Sequence, residues 1–315
     1  MTDRTRTVFL GTGAFAVPVV GALAEHPDVD LVLVITAPQR VGSRGKPNDP
    51  PVAVWAAERD IPLLRPVRLR SDQSVADIRS LDPDLVVLAD YGQIVPATLL
   101  DLPRHGALNL HPSLLPKFRG ATPIPAAILA GDTETGVTLM RMDAGLDTGP
   151  IVAQERVTLT GTETAPQLEE RLAHEAAQLL TANLQRWLAG AITAHAQPEV
   201  GVSLTRPLRR EDGRLAPTKT SAELERQVRA YQPWPGSFVE TDSGRLTIWS
   251  AQRGEPQPAD VSPGTLVATS DGRLALVARD ALLQVDDVQP AGGKRMSSSE
   301  LLRGRPGLVG SSIVQ

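Results

Sequence analysis

Four short, mainly apolar runs separated by helix-length stretches constrain the first half of this chain more than any other feature. They are Val8-Phe9-Leu10, Leu31-Val32-Leu33-Val34-Ile35, Leu85-Val86-Val87-Leu88-Ala89 and Ala107-Leu108-Asn109-Leu110. A strand with one wet face alternates apolar and polar residues. These runs do not alternate, so both faces must be covered, as in a parallel sheet clad by helices. A further strand is expected over 137–142. Between 167 and 188, Leu168, Leu172, Ala176, Leu179, Leu180 and Trp187 recur at spacings near three and four, which predicts an amphipathic helix stopped by Gly190. The economical fold class is α/β, doubly wound.

The pattern changes after 190. Residues 191–220 are rich in Pro, Arg and polar side chains and read as a linker. A short helix follows from Ser221, with Glu225 completing an imperfect capping box. Strand-like stretches at 236–241, 245–252, 264–268, 273–278 and 282–288, separated by Gly, Asp and Pro, predict a small β-barrel or sandwich. A length of 315 residues suits two domains. The boundaries expected are 1–190, a linker at 191–206, and 207–315.

Composition removes several classes of function. There is no Cys, so disulfides, thiolate zinc sites and a cysteine nucleophile are excluded. The net charge of −4 supplies no bulk attraction for nucleic acid, and residues 207–315 are nearly balanced, with 14 basic and 13 acidic side chains. An RNA partner therefore needs a local basic patch. Residues 1–8 are polar and lead into no apolar signal segment, and no run of ~18 apolar residues occurs. The expectation is a cytoplasmic protein without a membrane partner.

Gly11-Thr12-Gly13-Ala14-Phe15-Ala16 fits a dinucleotide-binding turn, but the second strand ends Ile35-Thr36-Ala37-Pro38 with no acid to hold a ribose. The loop after that strand, Gln39-Arg40-Val41-Gly42-Ser43-Arg44-Gly45-Lys46, is basic and lies at the edge where open α/β sheets bind ligands. Arg40, Arg44 and Lys46 are its candidate phosphate-contacting cations, whereas Arg65, Arg68 and Arg70 form a second, less suggestive cluster.

The densest chemistry lies in Asn109-Leu110-His111-Pro112-Ser113-Leu114-Leu115-Pro116 and, further on, Asp143-Ala144-Gly145-Leu146-Asp147-Thr148-Gly149. Asn109 and His111 alternate after a strand, so extended backbone projects them to one side. Asp147 follows another strand in a Gly-flanked loop. An amide, an imidazole and a carboxylate could meet there. A metal held by His111, Asp143 and Asp147 would have no paired-His motif to support it and no further strong ligand, so no metal is expected. A Ser113–His111–Asp147 hydrolase triad would lack a nucleophile elbow.

These motifs, with the continuation Lys117-Phe118-Arg119-Gly120-Ala121-Thr122-Pro123-Ile124, resemble the folate-dependent formyltransferases. Three features resemble the methionyl-tRNA branch of that superfamily: the basic loop ending Arg44-Gly45-Lys46, the segment 222–238 with Trp234-Pro235-Gly236, and Gly293-Lys294-Arg295-Met296-Ser297. The resemblance implies a Rossmann-like catalytic domain and a C-terminal OB-like β-barrel that binds tRNA. It implies 10-formyltetrahydrofolate as donor and initiator methionyl-tRNA as acceptor, in a cytoplasmic monomer that binds no DNA. Asn109, His111 and Asp147 match the family's catalytic residues. Ser113, Leu114, Leu115 and Pro116 match its folate loop, and Tyr91 and Gly92 its pteridine pocket, with Asp90 standing where an apolar residue is commoner. Arg44, flanked by Arg40 and Lys46, matches the arm that meets the acceptor end. A sugar-nucleotide formyltransferase is the alternative, since the same three residues would serve it. A catalytically silent RNA-binding module would not need them.

Overall fold

The buried apolar runs become neighbouring strands in the computed structural model, which describes residues 4–41 and 47–314, with the backbone alone of Arg40, Val41 and Pro47. The chain opens with β1 (Thr5–Gly11), α1 (Ala16–Glu25), β2 (Val29–Ile35), β3 (Arg40–Val41), β4 (Pro47–Asn48) and α2 (Pro51–Ala57). It continues through β5 (Leu63–Leu64), α3 (Asp72–Ser80), β6 (Leu85–Ala89), α4 (Ala97–Leu100), β7 (Ala107–His111) and β8 (Arg119–Gly120). Then come α5 (Pro123–Ala130), β9 (Glu134–Arg141), β10 (Ile151–Thr158), α6 (Ala165–Leu188) and β11 (Leu204–Thr205). Contacts divide the chain into two units, one of residues 1–123, 134–158 and 168–205, the other of 124–133, 159–167 and 206–315.

The first unit holds a seven-stranded sheet in the order β10-β9-β7-β6-β1-β2-β5. Its β7-β6-β1-β2-β5 portion is parallel, whereas β9 runs against β7 and β10 against β9. Every residue of β6 and β7 is buried, which explains why those runs lack alternation. From β1 the chain steps outward to β2 and β5, then returns to β6 on the other flank of β1. That reversal opens a crevice at the C-terminal ends of β1 and β6, the place where doubly wound sheets bind ligands. Helix α1 buries Ala16, Val19, Val20 and Leu23, a three-and-four spacing that lays one stripe on the sheet. Helix α3 begins at Ser71, whose side chain accepts from the Ser74 N–H, and carries Asp72 in its first turn and Arg79 in its last, both matched to the helix dipole. Gly190, at φ 67, follows the end of α6.

The stretch after α6 is not a free tether. His195 exchanges two backbone hydrogen bonds with Ile151, of 2.7 and 2.8 Å, and β11 pairs with β8 in parallel. Both contacts lie within the first unit. Polar, Pro-rich composition reads as a linker, but it also suits an extended segment whose backbone bonds to an existing surface.

The second unit adds α7 (Ser221–Ala230), β12 (Ser237–Thr241), β13 (Gly244–Pro256), β14 (Leu266–Ala268), β15 (Leu274–Val277), β16 (Ala281–Pro290), β17 (Met296–Ser297) and α8 (Ser298–Gly304). The sheet is antiparallel, in the order β12-β13-β16-β15-β14, with β17 beside β16, and it curls into a half-barrel. Leu246, Leu276, Leu283, Val285 and Val288 fill its concave side against Leu224 and Val228 of α7. Thr220, not Ser221, caps α7: its side chain accepts from the Glu223 N–H, and Glu223 returns to the Thr220 N–H, a complete capping box. The one-residue correction has a physical cause. Ser221 is fully buried and its N–H donates to Asp280 Oδ1 at 2.7 Å, so it already belongs to the helix. Residues 310–314 lie along the free edges of this sheet. Gly310 and Ile313 bond to Leu266 and Gly264 beside β14, and Val314 to Glu240 on β12, each at 2.8 Å.

Candidate active site

Strand β7 delivers Asn109 and His111 to one side, and both are buried, at 6% and 4% exposure. The chain then turns tightly. The Ser113 N–H donates to the His111 carbonyl at 2.8 Å, and Ser113 Oγ donates to the Lys117 carbonyl at 2.6 Å. Thr138 on β9 ties the same turn from beside: its Oγ1 donates to the Ser113 carbonyl and accepts from the Leu115 N–H. The turn brings residues 118–120 back over His111. The His111 ring nitrogen Nε2 lies 3.0 Å from the Phe118 carbonyl, which can only accept, so Nε2 carries the proton.

Asp147 arrives from the loop after β9. Asp143 shapes that loop by accepting from the Gly145 N–H and the Thr148 hydroxyl, at 2.9 and 2.7 Å. Gly149 lies against the Arg141 carbonyl, where a side chain would collide. Asp147 itself adopts φ 51. Its Oδ2 accepts from the Gly120 N–H at 2.8 Å, and its Oδ1 accepts from Asn109 Nδ2 at 3.4 Å. His111 Nδ1 lies 3.6 Å from Asp147 Oδ2, an electrostatic contact too long for a direct hydrogen bond. The structure thus brings Asn109, His111 and Asp147 to one point.

Two polar features of this point bear on chemistry. Burial pushes the His111 imidazole below its ordinary pKa, against the upward pull of Asp147 and the Phe118 carbonyl. The ring is then neutral at pH 7, with its proton on Nε2 and a lone pair on Nδ1 facing the carboxylate. Asn109 Oδ1 is buried without a protein partner. Leaving a polar atom unsatisfied costs about 1–3 kcal/mol, so the site is built to receive a donor there.

The same geometry bears on the rival chemistries. Ser113 is wholly buried with its hydroxyl committed to Lys117, so it presents no nucleophile to His111. Asp143 turns into its own loop, and among the described residues no group of three His, Asp or Glu side chains is gathered to hold a metal. At the turn after β1, a Cβ on Gly13 would collide with the Asp90 carboxylate. An acidic side chain thus occupies the place beside that turn that a dinucleotide's diphosphate would need. Asp90 holds φ 47, and lost solvation together with Gly13's opposing N–H leaves its carboxyl above the usual range. Neighbouring Glu169 is raised as well, by burial and then by repulsion from Asp90.

Residues 5–184 match the formyl transferase family model, and 207–306 match the model of the formyl transferase C-terminal domain. A methionyl-tRNA formyltransferase of Halorhodospira halophila is 41% identical over 309 residues, covering 98% of this chain and 99% of its own. One of Myxococcus xanthus is 40% identical over 310 residues, covering 98% of each. The chain belongs to the methionyl-tRNA formyltransferase family.

Among solved structures, an N-formyltransferase of Helicobacter canadensis, in complex with folinic acid and dTDP-3-aminofucose, superposes with a TM-score of 0.66 at 18% identity. It covers 93% of this chain and 100% of its own, and establishes the shared fold.

Within this formyltransferase the other expected site residues are placed as follows. Leu115 is buried, and Leu114 packs where a side chain on Gly136 would stand. A cis bond joins Leu115 to Pro116. Tyr91 is buried, with its hydroxyl pushed up to about 12 by that burial, while Gly92 has open space around it. Arg44 and Lys46 lie outside the described residues, as does the side chain of Arg40. Sequence reasoning missed the backbone donors and acceptors of Phe118 and Gly120, and the side chains of Thr138 and Gln197. Gly120 alone left a signal, since its φ of 104 and its approach to the Thr205 carbonyl require glycine.

Proposed function

We propose that the protein transfers the formyl group of 10-formyltetrahydrofolate to the α-amine of methionine on initiator tRNA. The observation that carries this reading is the buried meeting of Asn109, His111 and Asp147, with one amide acceptor unsatisfied. In the transfer, the amine nitrogen bonds to the formyl carbon and the bond from that carbon to N10 breaks. The amine sheds a proton and N10 gains one. Negative charge develops on the formyl oxygen, and the second N–H of Asn109 Nδ2 suits it as a donor, a contribution of about 3–4 kcal/mol for one preorganised side chain. The unsatisfied Asn109 Oδ1 suits an N–H of the attacking amine. Neutral His111 has a lone pair on Nδ1 to take up the amine's proton, and the carboxylate of Asp147 stabilises the imidazolium so formed.

Donor contacts fall, in this reading, to residues 113–116 and to Tyr91-Gly92. Ile94 and Leu146, exposed at 80% and 61%, offer apolar surface on the loops that carry Gly92 and Asp147. The acceptor end falls to Arg40, Arg44 and Lys46 of the basic loop, and the half-barrel of 207–315 to the body of the tRNA. The catalytic domain spans 1–190 and the joining segment 191–206. No helix of the described residues is long and apolar enough to cross a membrane, in keeping with action in the cytoplasm, where charged tRNA and reduced folates meet. One chain carries both units, so a monomer suffices.

A sugar-nucleotide acceptor is the alternative. Relatives at about 40% identity over the whole chain favour the tRNA, against 18% for the sugar-linked neighbour. The decisive assay offers the donor together with charged initiator tRNA, charged elongator tRNA or amino-sugar nucleotides. Formylation of the initiator alone is expected, and efficient transfer to an amino-sugar nucleotide would falsify the assignment. Arg44→Ala should weaken use of tRNA and flatten its salt dependence, with little effect on a small amine acceptor.

A further inference from the structure

We infer that Gln197, on the segment after α6, is a positioning residue that clamps the Asp147 loop over the catalytic pair. The inference rests on the formyl-transfer reading of Asn109, His111 and Asp147. Gln197 Nε2 donates to the Asp147 carbonyl and to the Gly149 carbonyl, both at 2.8 Å. Its Oε1 accepts from Arg119 Nε and Nη2 at 3.0 and 2.7 Å. Two donors and two lone pairs are all engaged, so the amide is fully satisfied.

Both ends of this clamp reach the site. Arg119 sits between Phe118, whose carbonyl fixes the His111 proton, and Gly120, whose N–H holds Asp147 Oδ2. Gln197 therefore ties the backbone of Asp147 to the same three residues that hold its carboxylate and orient the imidazole. Its own segment is anchored on either side. His195 pairs with Ile151, Ser203 Oγ accepts from the Phe118 N–H at 2.8 Å, and the Ser203 carbonyl accepts from the Arg119 N–H at 2.9 Å.

The clamp has work to do, because Asp147 sits at φ 51, a left-handed conformation that is strained for any residue but glycine and that two further hydrogen bonds on the Asp147 and Gly149 carbonyls help to hold. Without Gln197, two loop carbonyls and the Arg119 fork lose their partners. Asp147 can then drift from His111, and the pull that raises the imidazole pKa weakens.

The test uses the full chain with saturating donor and charged initiator tRNA across pH 5 to 9. In Gln197→Ala, kcat should fall by about 10–10²-fold, the loss expected from a displacement near 1 Å. Donor KM should change by less than ~3-fold. The acid limb of the kcat profile should move to lower pH. Gln197→Glu keeps the acceptor facing Arg119 but loses both donors, and should fare no better. Unchanged turnover in Gln197→Ala, full rescue by glutamate, or a fall in kcat with an unmoved pH profile overturns the clamp. If Gln197→Ala does not fold, Arg119→Lys carries the same test, since an ammonium cannot present the fork to Oε1. A shifted limb with reduced kcat supports the clamp, and an unmoved limb overturns it. An inactive wild-type chain would overturn the formyl-transfer reading and this inference together, whereas an active wild type with normal variants overturns the clamp alone.

Discussion

The two units differ in where they place unfavourable backbone. Among the described residues, all five non-glycine positions with positive φ lie in the first unit: Asp60, Asp82, Asp90, Phe118 and Asp147. In the second unit only glycines take such angles, Gly131, Gly236 and Gly244 among them. Asp60 and Asp82 come just after α2 and α3, where a left-handed residue ends a helix. The other three border the crevice or the Asn109–His111–Asp147 cluster. Phe118 is the most telling, because a bulky side chain there has no local hydrogen bond to favour the conformation. Such a residue costs about 1–3 kcal/mol. The half-barrel is a scaffold made of locally consistent choices. The first unit tolerates strain where a carbonyl, a carboxylate or a turn must stand at a given place.

This contrast can be broken experimentally. The largest effects belong to Asn109→Ala, His111→Ala and Asp147→Ala, each expected to reduce kcat by about 10²–10⁴-fold. Donor affinity, measured by equilibrium titration, should hardly change. Near-normal turnover in all three variants defeats the catalytic reading. Gly120→Ala comes next. At φ 104 a Cβ would strike the Thr205 carbonyl, so the N–H must leave Asp147, and single-turnover rates should drop by about 10–10²-fold. The acid limb of kcat should follow, with activity falling about tenfold per pH unit below a midpoint under ~6.5, since burial holds His111 low and protonation removes its lone pair. A midpoint at or above that value contradicts the neutral imidazole.

Gly244→Ala is the matched control in the second unit. It has φ 100 but nothing near a Cβ, so it should lose about 1–2 kcal/mol in denaturant melts and leave kcat per folded molecule unchanged. The smallest effect is expected from Asp90→Asn. A carboxyl whose folded pKa is raised favours the folded state below the unfolded value and loses that contribution as pH rises through the folded one. The amide removes this loss. Its Tm should exceed that of the wild type at pH 7.5, with the gain shrinking to nothing as pH falls below about 4. A constant difference across that range would assign the change to packing instead.

Much of the fold was legible because burial on both faces leaves uninterrupted apolar runs, as in β1, β2 and β6, and because α6 repeats its apolar stripe over 24 residues. The antiparallel addition of β9 and β10 was not legible. A buried run such as Val137–Met140 looks the same whichever way its neighbour points. In the site, Asn109, His111 and Asp147 announced themselves through side-chain type and Gly or Pro punctuation. The Phe118 carbonyl and the Gly120 N–H could not, because every residue carries such groups. Gln197 lies 50 residues from Asp147 in a stretch of linker-like composition, and a lone glutamine has no pattern around it. What the sequence hid is mainly the half of the site made from backbone and long-range contact.

One feature of the second unit has a bearing on how this protein behaves in bulk. The half-barrel has two strand edges, and residues 310–314 reach both, bonding to Gly264 and Leu266 on one side and to Glu240 on the other, where Leu215 also bonds to Phe238. Uncovered edges are templates for pairing between molecules. Those five residues therefore help keep these edges from pairing between molecules, and trimming them should make the chain stick to its own copies long before the Asn109–His111–Asp147 cluster is disturbed.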